Sequence, residues 1–280
     1  MSLHTSMKVG GPATVFFEPD NESEFLPRLH AFQRAGMPYI VIGNGTNIIV
    51  RDGGYPGAVF STRKALRGIE VTSGRLVCGA GESLANVGRF AAGRGLTGME
   101  ALSGIPGTVG GAIVMNAGAY DSEISNILVS TRVYDISNDQ VTALTNKECE
   151  FNYRDSIFKR NQMVILSAEF ELLPGNRAEI EAKMADFIDR RNSKQPVELP
   201  SAGSFFKRPE GYFAGKLIEE IGMKGARVGG AQVSEKHAGF IVNTGGATAT
   251  DVLTLAEEIK AKVYEQTGIS LEEEPIVIGI

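Results

Sequence analysis

"SGIPGTVGGAIVMNAGAY", from Ser103 to Tyr120, holds five glycines in eighteen residues, and most of the others are small or aliphatic. Glycine costs folding entropy, so a cluster of it marks backbone that must bend sharply or approach something closely. A second cluster, "GNGTN" at Gly43 to Asn47, follows the apolar run "YIVI" at Tyr39 to Ile42. A Gly/Asn turn directly after a strand presents backbone N–H groups that can cradle a phosphate. The Ser103–Tyr120 stretch offers a second surface of this kind, with an apolar wall. Neither stretch matches G-x-G-x-x-G or the P-loop pattern, so a simple Rossmann or nucleoside triphosphatase reading is weak. Each alone reads equally well as a tight turn. Together they suit a long ligand with a pyrophosphate and flat rings, which describes a flavin dinucleotide.

The bulk numbers set limits around this. The chain has 280 residues, enough for one large domain or two to three small ones. Apolar residues make up 42% and charged residues 22%, as in a packed globular core. The 34 glycines exceed the usual ~7%, but they cluster, so the chain is not of low complexity. A net charge of −5 and the lack of a basic block argue against nucleic acid as a partner. No apolar run is long enough to span a membrane and no signal peptide opens the chain, so a cytoplasmic protein is expected. Cys78 and Cys149 stand alone in sequence and suggest neither a zinc site nor a disulfide framework. With His4, His30 and His237 the only histidines, no histidine-rich metal site is expected.

Helix and strand patterns alternate along the chain. Asn21 to Glu24 reads as a capping box, with Phe25, Leu29 and Phe32 on one helix face. Ser83 caps a short helix carrying Leu84, Val87 and Ala91. Leu128 to Thr145 and Met163 to Leu173 suit strands. Ile180, Met184, Phe187 and Ile188 mark a helix near 177–191, followed by "NSKQPVELPSAGS" as a linker. Val252, Leu255, Ala256, Ile259 and Val263 stripe a last helix stopped by Gly268, and 275–280 is a terminal strand.

Polar residues stand out at several places. "FNYRDSIFK" sets Tyr153, Arg154 and Asp155 in an apolar context. An arginine there can clamp a carboxylate with two parallel hydrogen bonds, or simply pair with its neighbour Asp155 at the surface. "SAGSFFKRP" puts Ser204 between a glycine and two phenylalanines, either as a dry functional hydroxyl or as a turn hydrogen bond. No Ser–His–Asp set is evident, so a hydrolase nucleophile is not expected. "LEEEP" at Leu271 to Pro275 reads by composition as a solvated acidic end. Lys194 and Lys224 are exposed cations or anion partners.

The ordered set "HTSMKVGGPA", "GNGTNIIV", "SGIPGTVGGAIVMNAGAY", "YRDSIFK", "SAGSFFKRP", "VGGAQVSEKHAGFIVN" and "GISLEEEP" closely resembles the UDP-N-acetylenolpyruvoylglucosamine reductase (UDP-N-acetylmuramate dehydrogenase) family across nearly the whole chain. These are flavoenzymes of bacterial peptidoglycan (cell-wall) precursor synthesis. The resemblance implies an α+β fold: an FAD-binding fold similar to vanillyl-alcohol oxidase, with two α+β subdomains, plus a C-terminal α+β substrate-binding domain. It places FAD-binding subdomain 1 at 1–60, completed by 274–280, subdomain 2 at 61–175 and the substrate domain at 195–273. It implies FAD as cofactor and NADPH as co-substrate. Its motifs assign catalytic roles to Arg154, Ser204 and Glu274. They assign cofactor binding to Gly43, Asn44, Gly45, Thr46, Asn47, Ser103, Gly104, Pro106, Gly107, Gly110, Gly111, Asn116 and Gly118. They assign substrate binding to Tyr153, Lys194, Arg208, Lys224 and Gln232, with no metal. Pro275 stands where valine is usual and Arg208 where asparagine is. The short interval from Arg154 to Lys194 resembles the compact class that lacks an extra tyrosine-bearing loop.

The substrate this implies is a small molecule, an enol ether bearing a carboxylate on UDP-N-acetylglucosamine. Hydride from FAD N5 reaches the terminal carbon, and charge develops beside the carboxylate. Arg154 offers a permanent positive fork there. Glu274 helps only when protonated, which burial favours. Ser204 donates the proton, where position matters more than acidity. Two other readings remain at this level: a flavin oxidase of the same broad fold, and a non-catalytic flavin-binding module.

Overall fold

The computed structural model describes all 280 residues. Its seven α-helices are α1 (Glu22–Arg34), α2 (Thr62–Ala65), α3 (Leu84–Gly93), α4 (Val109–Val114), α5 (Arg177–Lys194), α6 (Ala214–Glu220) and α7 (Ala249–Thr267). Local chemistry starts and stops several of them. The Asn21 side chain accepts from the Glu24 N–H at 3.0 Å, and Ser83 Oγ accepts from the Asn86 N–H at 3.1 Å. Each satisfies a donor that a helix start leaves unpaired. Gly268 ends α7 at φ +70, a left-handed conformation that costs glycine little. α5 runs three residues beyond the expected Arg191, so Lys194 ends a helix rather than opening a linker. The stop is Pro196, which disfavours helical geometry at Gln195. Ile188, expected on the buried stripe of α5, is exposed.

Two compact units divide the chain. Unit 2 comprises 15–44 and 57–189. Its main sheet is antiparallel, in the order Gln140–Thr145, Leu128–Asp135, Met163–Phe170, Arg75–Gly79, Ile69–Thr72. A smaller sheet orders Ala13–Phe17, Tyr55–Ser61 and Tyr39–Ile42, the last two parallel. Phe60, Phe170, Leu84, Val87, Leu102 and Ile113 sit in one continuous buried core. Phe17 stacks on Phe60 at 5.1 Å while Phe25 and Phe32 meet Phe60 edge-on, arrangements that aromatic quadrupoles favour. Cys78 and Cys149 are buried free thiols in this core. Burial, with Glu148 nearby, pushes the Cys149 thiol up to about 11.

Unit 1 comprises 1–14, 45–56 and 190–280. α7 lays Val252, Leu255, Ala256, Ile259 and Val263 into a core with Phe205, Phe206, Leu217, Ile218 and Val233. The antiparallel strands Arg227–Val228, Ala231–Val233 and Ile241–Asn243 pack beside it. Ile276–Ile278 pairs in parallel with Ile48–Val50. Compactness thus divides the first sixty residues between the two units, a different partition from the functional blocks expected above. No helix is long and apolar enough to cross a membrane.

Candidate active site

Gly43, the first residue of "GNGTN", meets the Ser103–Tyr120 stretch in unit 2. A Cβ on Gly43 would lie 2.1 Å from Thr108 Oγ1, so only glycine permits this approach. The strand Tyr39–Ile42 leads into Gly43, and Thr108 caps α4 by accepting from the Gly111 N–H at 3.4 Å. Beside them opens a cleft of about 670 Å³, lined among others by Tyr39, Ile42, Thr108, Gly110, Gly111 and Val114. Phe158, Val164 and Ile165 add an apolar wall. Gly110 packs close to Ala80, where a Cβ would sit 3.1 Å from the alanine methyl. Gly111 is exposed toward solvent and meets nothing closer than 3.5 Å.

The first-turn donors of α4 are already engaged. Val109 N–H bonds Glu82 O and Gly110 N–H bonds Ala80 O, each at 2.8 Å. This stretch therefore offers close backbone and apolar surface rather than a phosphate nest. Ser103 is also committed inward, its hydroxyl donating to Glu100 O at 2.8 Å. Gly104, Pro106 and Gly107 form the loop before the Thr108 cap. The cleft size, the bare backbone and the apolar wall fit a flat ring system.

Arg154 also lies in unit 2, on a tight turn whose ends exchange backbone bonds: Asn152 N–H to Asp155 O at 3.0 Å, and Asp155 N–H to Asn152 O at 3.2 Å. Its φ of +55 is uncommon for a non-glycine residue and costs about 1–3 kcal/mol unless the surroundings hold it. Its guanidinium donates to Gly118 O at 3.3 Å and lies 5.0 Å from the Tyr153 ring. Asp155 does not take Arg154 as its ionic partner; Arg160 binds Asp155 and also Glu150. Tyr153, expected in an apolar setting, is half exposed.

Ser204 and Glu274 come together in unit 1. "SAGSFFK" runs antiparallel to "LEEEP": Glu274 N–H donates to Phe205 O at 2.9 Å and Lys207 N–H to Glu272 O at 2.8 Å, with a bridge between Phe206 and Glu273. Phe205 and Phe206 are buried, their rings 5.3 Å apart, while Ser204 is exposed and Glu274 half-buried. The acidic end is thus not simply solvated. Glu272 pairs with Lys207 and Glu273 with Lys260. Asn47 of the "GNGTN" turn donates to Glu274 O at 3.2 Å. Gly45 packs on His4, where a Cβ would meet the His4 carbonyl at 2.3 Å.

The other expected substrate residues are placed as follows. Lys224 pairs with Glu219 at 3.0 Å. Gln232 is buried, donates to Gly225 O at 3.3 Å and accepts from Arg227 at 3.0 Å. Arg208 lies 4.0 Å over the exposed Phe213 ring, and Lys194 is exposed at the end of α5. His237 accepts from the Gly239 N–H at 3.0 Å, and burial holds its imidazole below the usual histidine range. No group of three or more His, Cys, Asp or Glu side chains is arranged to hold a metal ion.

Residues 13–144 match an FAD binding domain, and the chain is a flavin-dependent oxidoreductase with an α+β FAD-binding fold. Residues 195–278 match the C-terminal domain of UDP-N-acetylenolpyruvoylglucosamine reductase. The reductase of that name from Clostridioides difficile is 45% identical over 279 residues, covering 100% of this chain and 91% of its own. That from Geobacillus kaustophilus is 43% identical, with coverage of 100% and 91%. The crystal structure of the Thermus caldophilus enzyme aligns with a TM-score of 0.82 at 34% identity, covering 99% of this chain and 97% of the other. The chain belongs to the UDP-N-acetylenolpyruvoylglucosamine reductase family.

Proposed function

We propose that the protein reduces the enolpyruvyl group of UDP-N-acetylglucosamine enolpyruvate to UDP-N-acetylmuramate, for peptidoglycan precursors, in the cytoplasm and with NADPH as electron source. The observation that carries the reading is the pairing of the Ser204 and Glu274 segments, distant in sequence and joined through Phe205 and Glu274. The turn 43–47 would hold the phosphates of FAD, and Gly110, Gly111 and Gly118 would allow its close approach. Ser103, Gly104, Pro106 and Gly107 complete this cofactor segment. FAD reduced by NADPH supplies the hydride that the terminal vinyl carbon accepts.

The chain's own groups manage the charge that follows. Arg154 holds the substrate carboxylate through two N–H donors and offsets negative charge delocalised into it. Glu274, in its protonated form, donates to the same developing charge. Ser204 gives its hydroxyl proton to the carbon beside the carboxylate, completing addition of hydride and proton across the double bond. Tyr153, Lys194, Arg208, Lys224 and Gln232 bind the nucleotide end, with residues 195–273 as the substrate domain.

Ser204→Ala separates the two halves of the reaction. Flavin reduction by NADPH needs no proton from Ser204 and should stay within a few-fold of wild type. Reoxidation by the enolpyruvyl nucleotide should slow by roughly 10²-fold, the scale of losing a positioned proton donor. Stopped-flow flavin absorbance times each half. Equal slowing of both halves would place Ser204 in the flavin site, and unchanged reoxidation would remove it from proton transfer.

A further inference from the structure

The turn bearing Arg154 is tied at both ends to the segment that leaves α4. Ser156 Oγ, fully buried, donates to Val114 O at 2.8 Å. The Asn116 side-chain amide donates to Asn152 O at 3.2 Å. Between these two ties the Arg154 guanidinium reaches Gly118 O. The arginine, its turn and residues 114–118 are therefore held in one register.

Asn116 is 2% exposed, and its side chain is fully engaged. Its amide nitrogen donates to Glu123 Oε2 at 2.8 Å as well as to Asn152 O. Its amide oxygen accepts from the Ser125 N–H at 3.0 Å. Both N–H donors and the acceptor of an asparagine are then used within the protein. Its φ of +40 favours asparagine among polar residues, because its short side chain tolerates the left-handed region. Aspartate would match the shape but lacks a donor for Asn152 O and would set a second carboxyl against Glu123.

We infer that Asn116 is a positioning residue for Arg154, not a cofactor contact: it fixes the Asn152–Asp155 turn and so aims the guanidinium. The inference rests on Arg154 being the carboxylate clamp. A misplacement near 1 Å at such a group costs up to about 10²-fold in rate.

The test is a double-mutant cycle on purified holoenzyme with Asn116→Asp, Arg154→Ala and the pair. Asn116→Asp should keep FAD content, FAD affinity and flavin reduction by NADPH within about twofold. It should slow reoxidation by the enolpyruvyl nucleotide at least tenfold, and weaken that nucleotide's binding in a titration of the oxidised flavin spectrum. Adding it to Arg154→Ala should cost less than about twofold more, because residues acting as a unit are not additive. Glu123→Gln, which leaves the bond to Asn152 O in place, should slow reoxidation less than about threefold. Should Asn116→Asp fail to fold, Asn116→Gly, which accepts the same backbone angle, takes its place in the cycle. Additive losses, or loss of FAD from either variant, would overturn the inference. Normal reoxidation by Arg154→Ala would instead show that the assignment of Arg154 is wrong, and the positioning role would fall with it.

Discussion

At the scale of single residues, Arg154 and its neighbour show what adjacency in sequence conceals. "RD" suggests an ion pair, yet Asp155 binds Arg160 while the Arg154 guanidinium meets Gly118 O. The fork geometry of arginine is therefore the property to test. Arg154→Lys keeps the charge and accepts the same φ of +55, so the fold should survive. Without the bidentate fork, substrate reduction should fall at least roughly tenfold, about 1.4 kcal/mol in the barrier. Near-normal steady-state turnover would mean that charge alone suffices. Glu274 makes a second test of chemical form. Glu274→Gln should retain more activity than Glu274→Ala, since an amide still donates a hydrogen bond where a methyl cannot. Equal damage would point to a carboxylate that must ionise. Arg154, Ser204 and Glu274 stand out in the sequence through motifs that resemble the family's, whereas composition alone also allowed a surface ion pair, a turn hydrogen bond and a solvated acidic end. The roles of Ser156, Glu123 and the engaged amide of Asn116 were not legible there. Their partners lie from 7 to 42 residues away, and nothing local marks them.

At the scale of elements, the sequence was readable where the physics is local. Asn21, Ser83 and Gly268 act on residues within four positions, and each cap stands where the pattern put it. Gly111, in α4, separates cofactor fit from helix stability. Alanine is a better helix former than glycine, and the nearest atom would sit at an ordinary 3.5 Å. Gly111→Ala should therefore leave the melting temperature of the flavin-free protein unchanged or slightly higher. Its methyl would enter the cleft, so FAD affinity, read by flavin fluorescence, should fall. Unaltered affinity would exclude close approach at this position. The start of α7 shows what local reading misses. Thr248 and Asp251 form a capping box there, but Asp52 also accepts from the Ala249 N–H at 2.8 Å and the Thr250 N–H at 2.9 Å. Burial pushes the Asp52 carboxyl up, but the bonds from Thr250 and Ala249 outweigh it and hold it below the usual carboxylate range. A depressed value means stability that is present above the unfolded-state pKa near 4 and is lost as pH falls through the folded value. Asp52→Ala should thus destabilise the protein at pH 7 by about 1 kcal/mol, the typical cost of a lost cap. The difference in thermal unfolding should shrink below about pH 4. A pH-independent difference would rule out the charged cap.

At the scale of the whole molecule, a linear reading sees blocks, whereas the fold weaves them. The segments 1–14 and 45–56 belong with 190–280, and 15–44 with 57–189. No composition change marks these exchanges, because each strand is apolar whichever core receives it. Ile48–Val50 illustrates the consequence. Ile49 and Val50 are fully buried, and their strand's parallel partner is Ile276–Ile278. A ribosome delivers the first strand early and the second more than two hundred residues later. Through most of translation that strand lacks its parallel partner and the part of its core supplied by 190–280, the condition under which nascent chains aggregate or need a chaperone. Nascent chains arrested before residue 276 emerges should therefore be cut by trypsin at Arg51, and completed, released chains should resist. Protection of Arg51 in the arrested chains would mean that earlier-synthesised segments shelter it. The order of synthesis leaves the 45–56 segment waiting for the last strand to arrive.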